Sequence, residues 1–100
     1  MAYSILRSAS HQIDDIYIYT AKTWGEVQAD AYITGLFECF NMIVDRKILW
    51  RSIPAAYGVD GYYADYEKHR VYWKVLMDGE IGIAAVLHER MNHGDRLTEM

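Results

Sequence analysis

The sequence predicts an α+β fold, a helical hairpin packed on a small, mostly antiparallel sheet in the order β-α-α-β-β-β. Three observations carry it. Two stretches with apolar residues at helical spacing lie side by side between residues 10 and 46, separated by one glycine. From Tyr62 onward the pattern becomes rich in β-branched and aromatic residues. An Asp78-Gly79 pair then sits between two such runs, where it makes a two-residue hairpin turn.

Taken in order, "YSILR" (Tyr3–Arg7) alternates weakly and reads as a short strand. Ser8 or Ser10 then offers an N-cap, with Asp14 and Asp15 placed to favour the positive end of a helix dipole. Ile13, Ile16, Tyr17, Thr20 and Trp24 give residues 10–24 an amphipathic helix that Gly25 ends. The next stretch carries the clearest signal. Ala29, Tyr32, Ile33, Leu36, Phe37, Phe40, Ile43 and Val44 form one apolar stripe, while Glu26, Asp30, Thr34, Glu38, Asn41 and Asp45 lie mostly away from it. Gly35 lowers helix propensity and marks a close approach. Residues 46–61 read as irregular, broken by Pro54, Gly58 and Gly61. "YYADY", "HRVYWKVLM" and "EIGIAAVLH" follow as three strands.

A chain of 100 residues, about half of them apolar, has enough for one core and not for two, so residues 1–100 are read as one domain. The net charge of −4 argues against a module that grips nucleic acid by itself, since such modules carry excess Lys and Arg. Charge is uneven. Residues 1–45 hold six acids and two bases, Arg7 and Lys22, while the remainder holds eight of each. The one cysteine, Cys39, permits no internal disulfide and fits a reducing compartment. No run reaches the roughly 18 apolar residues of a membrane span, and the N-terminus lacks the pattern of a signal peptide. The expectation is a soluble cytoplasmic protein with no cofactor.

His88-Glu89-Arg90-Met91-Asn92-His93 resembles a zinc-peptidase signature stretched by one residue. A spacing of five puts the two rings about 140° apart on a helix, a strand precedes them, and no third ligand is evident, so no metal site is expected. The strand is expected to bury Ile83, Ala85 and Leu87, then release His88, Arg90 and Arg96 into a polar tail. Arg46, Lys47 and Arg51 are the densest basic group and read as caps for the negative end of the second helix ahead of a nucleic-acid contact. Tyr17, Trp24, Tyr32, Phe37, Phe40, Tyr72 and Trp73 read mostly as core, and Cys39 as a buried structural thiol. Ile18 and Tyr19 fall off the first helix's stripe, which leaves an apolar face for a partner.

Several local motifs together resemble the ParE branch of the ParE/RelE toxins of bacterial toxin–antitoxin pairs. These are Asp15-Ile16-Tyr17 with Tyr19-Thr20, Trp24-Gly25 followed by Gln28-Ala29 and Tyr32, "HRVYWK" (His69–Lys74) and "VLHERM" (Val86–Met91). The resemblance covers about residues 3–97. It implies a non-enzymatic toxin, held inactive by a cognate antitoxin, that poisons DNA gyrase by trapping its cleaved-DNA intermediate. Toxicity would come from the C-terminal segment 86–97, with His88, Arg90, Met91 and Arg96 as target contacts. The antitoxin, as a partly helical or disordered segment, would lie on Ile13, Ile16, Tyr17, Ile18, Tyr19 and Trp24.

The sequence also departs from the family pattern. "DRKILWRSIP" replaces a Pro-x-x-Gly-Arg stretch, Gly61-Tyr62-Tyr63 replaces a Gly-Leu-Arg, and Trp73-Lys74 stands where Tyr-Arg is common. These changes bear on the target more than on the fold. The alternative implied by the wider superfamily is a RelE-like, ribosome-dependent mRNA endonuclease drawing on His69, Lys74, His88, Arg90 and His93. Against it, no tyrosine follows Tyr72, so the C-terminal tyrosine of many such nucleases has no match. A third reading keeps the fold in a protein that only pairs with an antitoxin.

Overall fold

One glycine makes the helical hairpin possible. In the computed structural model, which describes residues 3–98, Gly25 adopts φ +98°, a conformation that disfavours any side chain. Its N–H closes the first helix on the Ala21 carbonyl, and its own carbonyl accepts the Ala29 N–H that opens the second. The elements are β1 (Tyr3–Ile5), α1 (Arg7–Trp24), α2 (Glu26–Val44), β2 (Arg51–Ser52), a 3₁₀ turn at Ala55–Tyr57, β3 (Tyr62–Tyr66), β4 (His69–Val75), β5 (Ile81–His88) and α3 (His93–Thr98). The expected class and order hold, with β2 and α3 added to them.

Three local expectations need correction. The first helix begins at Arg7, not residue 10, because the chain passes from β1 into the helix through Leu6. The Leu6 N–H pairs with the Ile83 carbonyl and its own carbonyl accepts the Ser10 N–H, so strand and helix share one residue. Ser8 and Ser10 therefore lie inside the first turns and cap nothing, and Asp14 and Asp15 fall too late to meet the dipole. Trp24 is not core: it is 70% exposed at the hairpin tip. Two members of the basic group close α2 through backbone and not through charge within its last turn: the Arg46 and Lys47 N–H groups donate to the Ile43 and Met42 carbonyls. Instead the Arg46 guanidinium lies 3.5 Å from the centroid of the Trp50 ring, and the Trp50 indole N–H donates to the Ile43 carbonyl.

The sheet runs β1-β5-β4-β3-β2, antiparallel except where β1 pairs with β5 in parallel. The last strand, β5, therefore lies inside the sheet, between β1 and β4. On one sheet face the stripes of α1 and α2 bury Ile13, Ile16, Leu36, Phe40 and Ile43 against Val71, Trp73, Ile83 and Val86. Gly35 is the close approach expected, since a Cβ there would collide with the Tyr66 hydroxyl, which donates to the Tyr32 carbonyl. Cys39 is buried among these residues, which pushes its thiol pKa up.

The opposite sheet face is also covered. Tyr72, Ala85 and Leu87 pack with Leu97 of α3 and with Ile53, Tyr57, Val59 and Tyr63. This second layer explains why β5 reads as a continuous apolar run: Ile81, Ile83, Ala85, Val86 and Leu87 are all buried, not only the alternate positions.

Candidate functional site

The segment after β5 is not a loose polar tail. Met91 N–H turns back onto the His88 carbonyl, and Asn92 Oδ1 accepts the Asp95 N–H as α3 starts. Two side chains fasten the helix. Leu97 is buried in the outer layer, and His93, also buried, bridges two groups. Its Nε2 lies 2.9 Å from the His88 carbonyl and its Nδ1 2.5 Å from the Tyr72 hydroxyl. A carbonyl only accepts, so Nε2 carries the proton and Nδ1 accepts from Tyr72.

With His93 and Leu97 pointing inward, Arg90, Met91 and Arg96 are left on the surface and His88 half-buried. His88 sits opposite His69 in the β4–β5 ladder, with the two rings 5.3 Å apart edge to face. His69 in turn accepts the Tyr32 hydroxyl at Nδ1, 2.6 Å away, tying α2 to β4. Burial pushes His69 down to about 4, with the neighbouring His88 adding to the effect, and pushes Tyr32 up to about 12. Both shifts favour the neutral pair, in which the phenol donates and the imidazole accepts.

A cavity of about 450 Å³ opens beside this segment, lined in part by Tyr57, Asp65, His69, Arg70, Glu89 and His93. Arg70 is already engaged. Its Nε donates to Asp65 Oδ1 at 2.7 Å, across the strand pair, and its guanidinium covers the Tyr63 ring. Of the residues named for phosphate chemistry, His69 and His93 line this cavity, whereas Lys74 and Arg90 do not. Among the described residues no three His, Cys, Asp or Glu side chains converge as a metal-binding set would.

On the hairpin, Ile13 and Ile16 are buried in the core and present no surface. Tyr17 is half-buried, its hydroxyl donating to Asp30 Oδ1 at 2.8 Å across the α1–α2 seam. Ile18, Tyr19 and Trp24 are exposed, joined at the tip by Val27, which sequence reasoning did not single out. Val27 could have been found: it follows Gly25 in the first turn of α2 and lies off the apolar stripe.

A family model described as "ParE toxin of type II toxin-antitoxin system, parDE" matches residues 3–93. The chain belongs to the ParE toxin family. Among solved structures, a chain of the "Chromosomal ParDE TA system from P. aeruginosa" superposes on this ParE-family fold with a TM-score of 0.70. The match covers 88% of this chain and 95% of that one at 18% sequence identity, a level that speaks to the fold. No curated protein sequence matches this ParE-family chain. Among the described residues, none of its helices is long and apolar enough to cross a membrane.

Proposed function

We propose that this ParE-family chain is a cytoplasmic, non-enzymatic toxin that inhibits DNA gyrase and is neutralised by a cognate antitoxin. The observation that carries the reading is the family match over residues 3–93. The surface geometry supports a binding role for the C-terminal segment: α3 is anchored by His93 and Leu97, so Arg90, Met91 and Arg96 are displayed from a fixed frame, with His88 behind them. For the antitoxin, the exposed remainder of the hairpin contacts is Ile18, Tyr19 and Trp24, flanked by Tyr17.

The arrangement speaks against RNA cleavage. A ribonuclease needs a free base beside cations that hold the phosphate. Here both ring nitrogens of His93 are committed, Arg70 is paired with Asp65, and three carboxylates, Asp65, Glu67 and Glu89, line the same cavity and repel a phosphate.

The test is induced expression in a bacterium, read for DNA damage and filamentation against translation arrest, together with purified gyrase assayed for accumulated cleaved DNA. Filamentation with cleavage-complex accumulation is expected. Translation arrest with messenger cleavage on ribosomes would replace this reading with the nuclease one.

A further inference from the structure

Three of the four histidines meet at the base of the C-terminal segment, and each uses its Nδ1 as a hydrogen-bond acceptor. His69 accepts the Tyr32 hydroxyl and His93 the Tyr72 hydroxyl. His88 accepts the Arg90 backbone N–H at 3.1 Å. A backbone N–H can only donate, so this contact exists only while His88 Nδ1 is bare. The three rings are also close to one another. The His69 and His88 rings lie 5.3 Å apart, and the His88 carbonyl takes the His93 Nε2–H at 2.9 Å. A proton added at Nδ1 sets donor against donor at His88 and puts like charges side by side at His69 and His88. At His93 the added charge would be buried, with Arg70 lining the same cavity. The charged groups nearby do not reverse this. Glu89 favours a charged His69, but it lies 4.0 Å from Lys68, and Asp65 is paired with Arg70. Glu67 lines the cavity without an ion pair among the described residues, and it is exposed to screening water. On the segment itself Arg90 and Asp95 are exposed and of opposite sign. Six-residue α3 is too short to persist once its contacts with the sheet are lost.

We propose that His69, His88 and His93 form a proton-operated latch: neutral, they hold residues 89–98 on the sheet, and charged, they release them while the rest of the fold stands. This rests on the toxin reading only in naming the released segment as the target contact; the latch itself follows from the hydrogen bonds. Its sign follows from linkage. In the released segment His88 and His93 take a proton with no donor facing them, so falling pH favours release. His69, uncovered by the same event, marks the window. Burial holds it at about 4 against an ordinary value near 6.5, so docking is complete above about 6.5 and is lost as the pH falls toward 4. Because three rings share one event, release takes up more than one proton and is steeper than a single titration. Acid thus withdraws Arg90, Met91 and Arg96 from their fixed frame without unfolding the helical hairpin.

The experiment is an NMR titration of the full chain from about pH 8 to about pH 4. At the high end, imidazole nitrogen shifts are expected to show an unprotonated Nδ1 on all three rings. On acidification the amides of residues 89–98 are expected to move together to unfolded-chain positions, with a Hill slope above about one, while those of α1, α2, β3 and β4 keep theirs. Rings that take up protons while residues 89–98 stay docked overturn the latch. So does a segment that is lost only together with the helical hairpin. His69→Asn with His88→Asn sets an amide oxygen near each Nδ1 position, an acceptor that takes no proton, and is expected to lower the release midpoint by at least about 0.5 pH unit. An unmoved midpoint overturns the latch. His11→Asn, at the fourth histidine, exposed on α1, is the control and is expected to leave the midpoint within about 0.2 pH unit. An equal shift in that control also overturns it. The parent's own titration decides the matter should the double variant fail to fold. Gyrase cleavage-complex formation by the parent at neutral pH tests the toxin reading separately. Its absence leaves the latch result standing, and a failed latch leaves a positive gyrase result standing.

Discussion

His93 holds its helix through two hydrogen bonds of different kinds. One runs to the His88 carbonyl at the end of β5, the other to the buried Tyr72 phenol on β4. Replacing His93 by Leu keeps the volume but leaves the buried Tyr72 hydroxyl without its acceptor, which costs about 1–3 kcal/mol. Tyr72→Phe removes the hydroxyl and the demand together and should cost less. Urea unfolding of the two variants checks the order, and hydrogen exchange should show residues 93–98 opening first. His69 makes a pH prediction of a definite sign. Its folded pKa is pushed down to about 4 by burial, so the unfolded chain, with the ordinary value near 6.5, takes up the proton first. Stability is therefore complete above about 6.5 and falls as the pH drops toward 4. The slope is at most one proton, about 1.4 kcal/mol per pH unit, and less because water screens the partly exposed ring. His69→Gln should flatten unfolding free energy between pH 7 and 5 relative to the parent.

At the scale of elements, Gly35 and Tyr66 form a testable pair. Gly35→Ala gains helix propensity, up to about 1 kcal/mol, but its methyl group meets the Tyr66 hydroxyl. Overpacking of this kind costs about 1–3 kcal/mol, so net destabilisation is expected. Gly35→Ala combined with Tyr66→Phe should recover part of it, a positive coupling that a double-mutant cycle measures. The two long helices were legible because their apolar residues repeat at 3.6 and a single glycine parts them. The three long strands were legible from β-branched and aromatic runs and from Asp78-Gly79. What escaped was short or held from outside. α3 spans only six residues, too few to form alone, and its sequence "HGDRLT" shows a single aliphatic side chain. Its helicity comes from Leu97 and His93 docking on a sheet face that nothing in the sequence marks as covered. β2 is two residues long and depends wholly on β3. The start of α1 was misplaced because Leu6, without a capping side chain, begins the helix by its backbone alone. Of the site, the exposure of Arg90 and Arg96 was legible from polarity, whereas His88, expected with them, is half-buried against His69. The burial of Ile13 and Ile16 followed from the same stripe that had put them on the partner face.

For the whole molecule, the covered outer face changes how the C-terminal segment can be tested. Cutting the chain after Leu87 would strip Leu97 and His93 from Tyr72, Ala85 and Leu87 and expose a second apolar surface. The expected result is loss of cooperative unfolding and aggregation, so lost toxicity in that truncation would report the fold. Arg90→Glu with Arg96→Glu leaves α3 anchored. It is expected to keep the unfolding midpoint within about 0.5 kcal/mol of the parent, as exposed substitutions do, while reducing gyrase cleavage-complex formation. Residues 1–45 hold six acids and two bases, whereas Arg90 and Arg96 stand exposed beyond β5, so the proposed antitoxin and target contacts fall on different elements.

The parallel pairing of β1 with β5 has a consequence in time. Tyr3, Ser4 and Ile5 are synthesised long before their sheet partners Ile81, Gly82 and Ile83, so β1 cannot join the sheet until β5 has been made. Such long-range closure is slow to form and cannot precede its last participant. At translation rates of about 5–20 residues per second, the nascent chain spends several seconds as a helical hairpin without a finished sheet. A premature stop anywhere before Ile81 would yield no platform for the C-terminal segment. The segment proposed here to meet the target follows β5 in the chain, so it is made only after the strand on which it stands.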